Sequence, residues 1–155
     1  MPILVQPIPP DRFPTDGADV VIVGGGIIGV SAALTLAERG ISVVLLEKGE
    51  VAAEQSSRNW GWCRQQGRDP RELPLITESL KRWRLMDKRI NGRTGFNQCG
   101  TLYLADSEES LETQSQWLEF AEPFSIGARV IRTKAIEALL PGCSRKWEGA
   151  LYCES

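Results

Sequence analysis

The sequence predicts an α/β protein that opens with a parallel βαβ unit. Residues 18–23 and 42–46 are short apolar runs rich in β-branched side chains, which is typical of buried parallel strands. Between them, residues 27–39 carry apolar side chains at helical spacing, and Gly40 provides a natural helix stop. Because a helix that joins two parallel strands crosses over in the right-handed sense, these elements should form one βαβ unit.

The second half of the sequence predicts a different, α+β pattern. A polar stretch at 48–67, which contains two tryptophans, is interpreted as an ordered loop or a short helix. Asp69, Pro70 and Glu72 then stand at the N-cap, N1 and N3 positions of a helix that ends near Gly92. The remaining expected elements are a strand at 100–105, a helix at 106–122, a strand at 128–131, a helix at 134–140 and the beginning of a strand at 149–153.

Composition excludes several classes of function. The formal net charge is -2 and the pI is about 5.3, so no strong basic field favours nucleic acid. Residues 20–37 carry no charge, but the glycines in their middle indicate a strand, a turn and a helix rather than a membrane span. The four cysteines form no C-x-x-C pair and histidine is absent, so we expect no metal site and free thiols in a cytoplasmic protein. Residues 1–17, which are rich in proline, are expected to be a flexible leader.

The turn between the first strand and the helix has the pattern Gly24-x-Gly26-x-x-Gly29. Gly24 allows a tight turn, Gly26 lets a diphosphate approach the backbone, and Gly29 lets the helix pack closely on the strand. The start of the helix, at Ile27 and Ile28, presents unpaired N–H groups and the positive end of the helix dipole. The pattern therefore predicts that a dinucleotide binds at the first turn of this helix.

The residue that ends the second strand narrows the choice of dinucleotide. A carboxylate at Glu47 would accept hydrogen bonds from the ribose hydroxyls of an adenosine and would repel a 2′-phosphate, so NADP is disfavoured. FAD and NAD both fit. An NAD-dependent dehydrogenase would continue with further alternating strands and helices, whereas this chain enters a polar loop at Lys48, which favours FAD. The competing interpretation is a glycine-rich turn in an unrelated α/β protein.

Several segments of the sequence resemble the FAD-dependent oxidoreductases of the D-amino-acid oxidase type. This group includes glycine and sarcosine oxidases and D-amino-acid dehydrogenases. The matching segments are D-V-V-I-V-G-G-G-I-I-G, L-L-E-K, S-S-R-N-W-G-W-C-R and, more loosely, C-G-T-L-Y-L-A-D. The resemblance covers the chain from Asp19 onward. It implies that residues 18–92 form the N-terminal part of a Rossmann-like FAD-binding domain. Residues 93–155 would then be the beginning of an α+β substrate-binding domain.

The resemblance also implies a role for each matching residue. The FAD pyrophosphate would lie on Gly24, Gly26 and Gly29, and the adenosine ribose on Glu47. Arg64 is a candidate active-site residue near the flavin, where it would stabilise a reduced flavin or orient a substrate carboxylate. Some relatives attach FAD covalently through a histidine near this loop, which this chain lacks, so non-covalent FAD is expected. The loop residues implied to run beside the adenosine, along the pyrophosphate and toward the flavin ring are Lys48, Ser56, Ser57, Arg58, Asn59, Gly61 and Trp62.

The reaction that the family relationship implies is oxidation of a C–N bond in an amino acid or secondary amine, with hydride transfer to the flavin. Members of the family are much longer than this chain. We therefore expect an incomplete fold that needs a missing C-terminal half or an oligomer partner, and an inactive isolated chain. Two alternatives stay open, namely an NAD-dependent dehydrogenase and a non-catalytic nucleotide-binding fragment.

Overall fold

The computed structural model describes residues 7–10 and 17–154, and the chain divides into two compact units, Met1–Trp62 and Cys63–Ser155. Most of the leader expected at 1–17 lies outside the described residues. The assignment of 18–92 and 93–155 to two domains of a larger enzyme stays a prediction.

The first unit is the expected parallel βαβ unit. Strand β1 (Val20–Val23), helix α1 (Ile27–Ala37) and strand β2 (Val43–Leu46) follow one another, and β1 pairs with β2 in parallel. The helix ends two residues earlier than the sequence predicted. The reason is a closing turn in which Gly40 adopts φ +77 and donates its N–H to the carbonyl of Ala37 at 2.9 Å.

Many apolar side chains of the first unit face solvent. Val23 is 84% exposed and Val21 is 57% exposed on β1, and Ile28 is 83% exposed at the start of α1. None of the residues of α1, all of which the structure describes, is fully buried. Several large apolar side chains of this unit are therefore exposed to solvent among the described residues.

The second unit begins with the helix that the sequence predicted near Asp69. The Asp69 side chain accepts a hydrogen bond from the N–H of Arg71 at 2.9 Å, as an N-cap does. The first turn, Pro70–Glu72, is a 3-10 turn, and α2 (Leu73–Arg89) follows it. Pro74 explains the delay, because its ring nitrogen has no N–H to donate to a preceding carbonyl.

The rest of the second unit is a three-stranded antiparallel sheet with helices α3 and α4. The strands are β3 (Thr101–Ala105), β4 (Ala128–Arg132) and β5 (Gly149–Cys153), in the order β3-β5-β4. The segment expected to be the beginning of a strand is therefore a complete central strand that pairs on both sides. The helices are α3 (Glu108–Ala121) and α4 (Thr133–Leu139).

The cap of α3 differs from the residue that the sequence favours. The spacing predicts that Asp106 opens this helix, but the hydroxyl of Ser107 accepts the hydrogen bond from the N–H of Ser110 at 3.2 Å. The Asp106 carboxylate instead pairs with the Arg145 guanidinium at 2.9 Å. An ion pair with a residue far along the chain thus displaces the local choice of cap.

The core of the second unit lies between α2, α3 and the sheet. Its buried members are Leu73, Ala121, Ile126 and Cys153. The side chain of Gln66, which is 0% exposed, attaches the preceding loop to the sheet. Its Nε2 donates to the carbonyl of Thr101 on β3 and to that of Leu151 on β5, at 3.1 and 3.0 Å.

Candidate functional site

The turn between β1 and α1 has a geometry that only glycine fits at two positions. Gly24 adopts φ +106, which is strained for any residue with a Cβ, and its N–H donates to the carbonyl of Leu46 at 2.7 Å. An ideal Cβ on Gly29 would lie 2.0 Å from the carbonyl oxygen of Gly24. The first turn of α1 can therefore lie directly against β1, as the motif predicted.

The carboxylate of Glu47 is tied to this turn. Its Oε2 accepts a hydrogen bond from the N–H of Gly25 at 2.6 Å, and its Oε1 accepts one from the N–H of Gly49 at 2.9 Å. These bonds, that from Gly25 foremost, lower the pKa of Glu47 below its ordinary value. The side chain is thus ionised at neutral pH and fixed beside the glycine turn.

Gly25 is a contact residue that the sequence analysis passed over. The G-x-G-x-x-G pattern leaves this position open, yet the residue is buried and its N–H is the strongest hydrogen-bond partner of Glu47. An ideal Cβ at Gly25 would approach Glu47 Oε2 to 3.1 Å. The run of three consecutive glycines at 24–26 is the signal that could have identified it.

The loop after β2 is fastened to the same turn at two points. The N–H of Ala52 donates to the carbonyl of Gly25 at 2.9 Å. The hydroxyl oxygen of Ser56 accepts a hydrogen bond from the N–H of Ile27 at 2.8 Å, and thereby caps α1, whose own N-cap residue, Gly26, has no side chain. The structure thus brings Ser56 into the glycine turn, although it lies 29 residues along the chain from Ile27.

The other predicted loop residues make contacts within the loop. Ser57 Oγ hydrogen-bonds to the carbonyls of Ala53 and Glu54 at 2.8 and 3.0 Å, so its proton is already used locally. Asn59 Nδ2 donates to the carbonyl of Ser56 at 2.6 Å. The Arg58 guanidinium contacts the Glu54 carboxylate.

Lys48 also lies beside that carboxylate, with its Nζ at 3.7 Å from Glu54 Oε1. Gly61 adopts φ +65, and its N–H donates to Asn59 Oδ1 at 2.6 Å. Trp62 is 43% exposed and its neighbour Trp60 is 91% exposed. Core packing within the described residues therefore does not explain Trp60.

Arg64 belongs to the second unit, where its guanidinium contacts a backbone carbonyl and an aromatic ring. Its Nη1 donates to the carbonyl of Gln66 at 2.7 Å, and its guanidinium carbon lies 5.5 Å from the centroid of the Tyr103 ring. Gly67 makes room for that ring, because a Cβ at this position would lie 2.5 Å from Tyr103 Cε2. The predicted role of Arg64 near a flavin stays a prediction.

Taken together, the glycine turn fits the diphosphate of a dinucleotide. Gly24, Gly26 and Gly29 carry no side chains beside the first turn of α1, and Ile28 is exposed there, while the N–H of Ile27 is bound to Ser56 Oγ. An ionised carboxylate lies at the end of the neighbouring strand. A clustered metal site is not found among the described residues, and in the same part of the chain no helix has the length and apolar character that a membrane span requires.

Comparison with known proteins gives a consistent result. Residues 19–155 match the family model described as FAD dependent oxidoreductase, DAO. The chain is 28% identical over 148 residues to one of the opine oxidase subunits of Rhizobium meliloti, with 88% of this chain and 40% of that protein covered. It is 33% identical over 101 residues to glycine oxidase of Geobacillus kaustophilus, with 61% and 27% covered.

A solved structure resembles almost all of the chain. L-Amino acid deaminase from Proteus myxofaciens, solved in complex with anthranilate, superposes with a TM-score of 0.87 at 32% identity. The match covers 97% of this chain but 34% of the deaminase chain. The chain thus spans well under half of the length of each of these relatives.

Proposed function

The chain belongs to the DAO family of FAD-dependent oxidoreductases, and from that premise we propose that it forms the ADP-binding front part of an enzyme that oxidises amino acids or secondary amines. The observation that carries the proposal is the glycine turn at the start of α1 with the Glu47 carboxylate fixed beside it. The match to the family model over 19–155 supports FAD rather than NAD as the dinucleotide.

Each residue near the turn receives a role in this proposal. Gly24, Gly26 and Gly29 leave room for the diphosphate, whose oxygens accept a hydrogen bond from the N–H of Ile28, and one from the N–H of Ile27 where the phosphate replaces Ser56 Oγ as its acceptor. The oxygen lone pairs of Glu47 that Gly25 and Gly49 do not use accept hydrogen bonds from the ribose hydroxyls. The loop after β2 lies along the cofactor from the adenosine toward the flavin in this proposal. Its residues beside the cofactor are Lys48, Ser56, Ser57, Arg58, Asn59, Gly61 and Trp62.

FAD is proposed to bind without a covalent link. Cys63 is the thiol closest in sequence to the loop, and burial raises its pKa, so it stays protonated and is a weak nucleophile. The Gln66 carbonyl and the Tyr103 ring contact the Arg64 guanidinium. In this proposal Arg64 binds either the reduced flavin or a substrate carboxylate.

The substrate class rests on the relatives. Glycine oxidase and L-amino acid deaminase are named for reactions of amino acids, and both share the described fold with this chain. Bound FAD would supply the electron acceptor for C–N oxidation, while the protein positions the substrate and excludes side reactions. Because the chain covers 34% of the deaminase, the activity of the whole protein is part of the proposal.

Two measurements test the proposed function. Titration of the protein with FAD, ADP and NAD in a calorimeter should give binding of FAD and ADP, and a Gly26→Val variant should lose it, because a branched side chain would fill the space of the diphosphate. An enzyme that carries this segment should then reduce its flavin with an amino acid or secondary amine. Binding of NAD in preference to FAD would favour a dehydrogenase instead.

The isolated 155 residues are expected to retain FAD weakly and to show no turnover. The exposed apolar side chains of the first unit, such as Val23 and Ile28, give the physical reason, since they need cover from further protein, either a C-terminal half or an oligomer partner. A stable, yellow, monomeric preparation of these residues would contradict this expectation. A cytoplasmic location stays a prediction.

A further inference from the structure

The loop after β2 carries an anion where the proposed function needs cations. The carboxylate of Glu54 contacts the Arg58 guanidinium through Oε2 and lies 3.7 Å from Lys48 Nζ through Oε1. Both cations have proposed roles beside the cofactor. Glu54 has none, and its negative charge opposes the binding of a diphosphate.

The backbone holds Glu54 at this position. Two residues before it, the N–H of Ala52 is bound to the carbonyl of Gly25 at 2.9 Å. Two residues after it, the hydroxyl of Ser56 is bound to the N–H of Ile27 at 2.8 Å. These two attachments hold the backbone on both sides of Glu54 against the glycine turn.

The ion pairs that Glu54 forms are open to exchange. The side chain of Glu54 is 58% exposed, that of Arg58 59% and that of Lys48 81%. Exposed pairs of this kind contribute little, because water screens the charges and ordering long side chains opposes the gain. Carboxylate and phosphate oxygens accept hydrogen bonds from the same guanidinium and ammonium donors, so one can replace the other.

We propose that Glu54 is a built-in competitor for the cofactor diphosphate. It neutralises Lys48 and Arg58 in the cofactor-free chain, and it lowers the affinity for any ligand that brings phosphate to the glycine turn. This inference rests on the proposed function, because it assumes that the diphosphate binds at this turn. It assigns to Glu54 an effect on affinity opposite to that of Glu47, although both are glutamates of the same segment.

The test compares two charge-neutral variants by calorimetric titration with ADP. Glu54→Gln should bind ADP about two- to five-fold more tightly than the unchanged protein, which is the range expected for exposed ion pairs. The gain should shrink in 0.5 M salt, at roughly a 4–5 Å screening length. Glu50→Gln is the matched control, since Glu50 is exposed in the same loop and forms no ion pair within the part of the chain that the structure describes.

Two further titrations locate the effect. The gain from Glu54→Gln should shrink in a protein that already carries Arg58→Gln and Lys48→Gln, because Glu54 then has no cation to neutralise and only its direct repulsion of the phosphate remains. Adenosine, which lacks phosphate, should bind equally to the unchanged protein and to Glu54→Gln.

These titrations distinguish a failure of the inference about Glu54 from a failure of the proposed function. Unchanged or weaker ADP binding by Glu54→Gln would overturn the inference, and weaker binding would mean that Glu54 positions Arg58 for the phosphate. An equal gain from Glu50→Gln would reduce the effect to net charge and would also overturn it. If the unchanged protein bound neither FAD nor ADP, the proposed function itself would fail.

Discussion

Replacement of Gly29 by alanine is the sharpest test of how the glycine turn is built. Inside an ordinary helix this change stabilises a protein by about 0.5–1 kcal/mol, because alanine loses less backbone entropy on folding. At Gly29 an ideal Cβ would lie 2.0 Å from the carbonyl oxygen of Gly24 and 3.3 Å from Cγ2 of Ile22. Carbon and oxygen atoms in close contact are about 3.3 Å apart, so the helix would have to move by about 1 Å.

Gly29→Ala should therefore destabilise the protein, whereas the same change inside an ordinary helix stabilises it. Overpacking of this size costs about 1–3 kcal/mol, and the gain in helix propensity returns at most about 1 kcal/mol. We expect Gly29→Ala to lower the free energy of unfolding by about 1–2 kcal/mol in urea titrations. ADP affinity should fall by about tenfold or more, since the N–H groups at the start of α1 move with the helix.

A matched control lies on the next residue of the same helix. Val30 is 36% exposed, and Val30→Ala should raise helix propensity without adding an atom between α1 and β1. Its ADP affinity should equal that of the unchanged protein. If Gly29→Ala instead raised stability by the ordinary helical amount and left ADP binding unchanged, the close approach of α1 to β1 would be refuted.

Three individual contacts can be tested by single substitutions. Glu47→Gln should weaken ADP binding by about tenfold or more in calorimetry, because a charged hydrogen-bond acceptor is lost beside the ribose, and equal affinity would contradict this role. Gly67→Ala should lower the free energy of unfolding by about 1–3 kcal/mol, since φ is +67 and a Cβ would lie 2.5 Å from Cε2 of Tyr103; an unchanged urea midpoint would argue against this packing. The side-chain hydrogen bond from Arg71 lowers the pKa of Asp69 to about 2, so its stabilisation is complete above the ordinary value of 3.8 and is lost as pH falls through about 2. Asp69→Asn should accordingly flatten the dependence of unfolding free energy on pH in that window, and an unaltered slope would speak against the contact.

The first unit could be predicted well because its signals are local. The βαβ order, the glycine turn and the acidic end of β2 each depend on residue types at fixed spacing, and β1, α1 and β2 appear where the pattern placed them. The ends of the elements were less certain. Strand β1 begins at Val20 rather than at residue 18, because the ladder with β2 starts where Val20 meets Val43.

The directions of the loop side chains could not be predicted from spacing. Ser56 and Ser57 are adjacent and chemically identical, yet Ser56 caps α1 while Ser57 hydrogen-bonds within its own turn. Tertiary hydrogen bonds determine which of the two serines caps α1, and the local sequence does not indicate those bonds. The same holds for Gln66, whose two carbonyl acceptors lie 35 and 85 residues further along the chain.

The strand order of the antiparallel sheet in the second unit could not be predicted from the sequence either. Its three strands were expected from their apolar runs, but the order β3-β5-β4 places the last strand in the centre. Gly149 at the start of β5 marks this position, because a Cβ there would lie 2.5 Å from Leu111 Cδ2 on α3. Such a requirement becomes visible only when the neighbouring helix is known.

The central claim is that a diphosphate binds at the glycine turn, with the ribose beside Glu47. An NMR titration of the ¹⁵N-labelled protein with ADP tests it most directly. The amide resonances of Gly25, Gly26, Ile27 and Ile28 should shift with one common dissociation constant, while those of β4 and α4 should stay in place. Saturating ADP that moved only amides outside residues 24–59, or none, would contradict the claim.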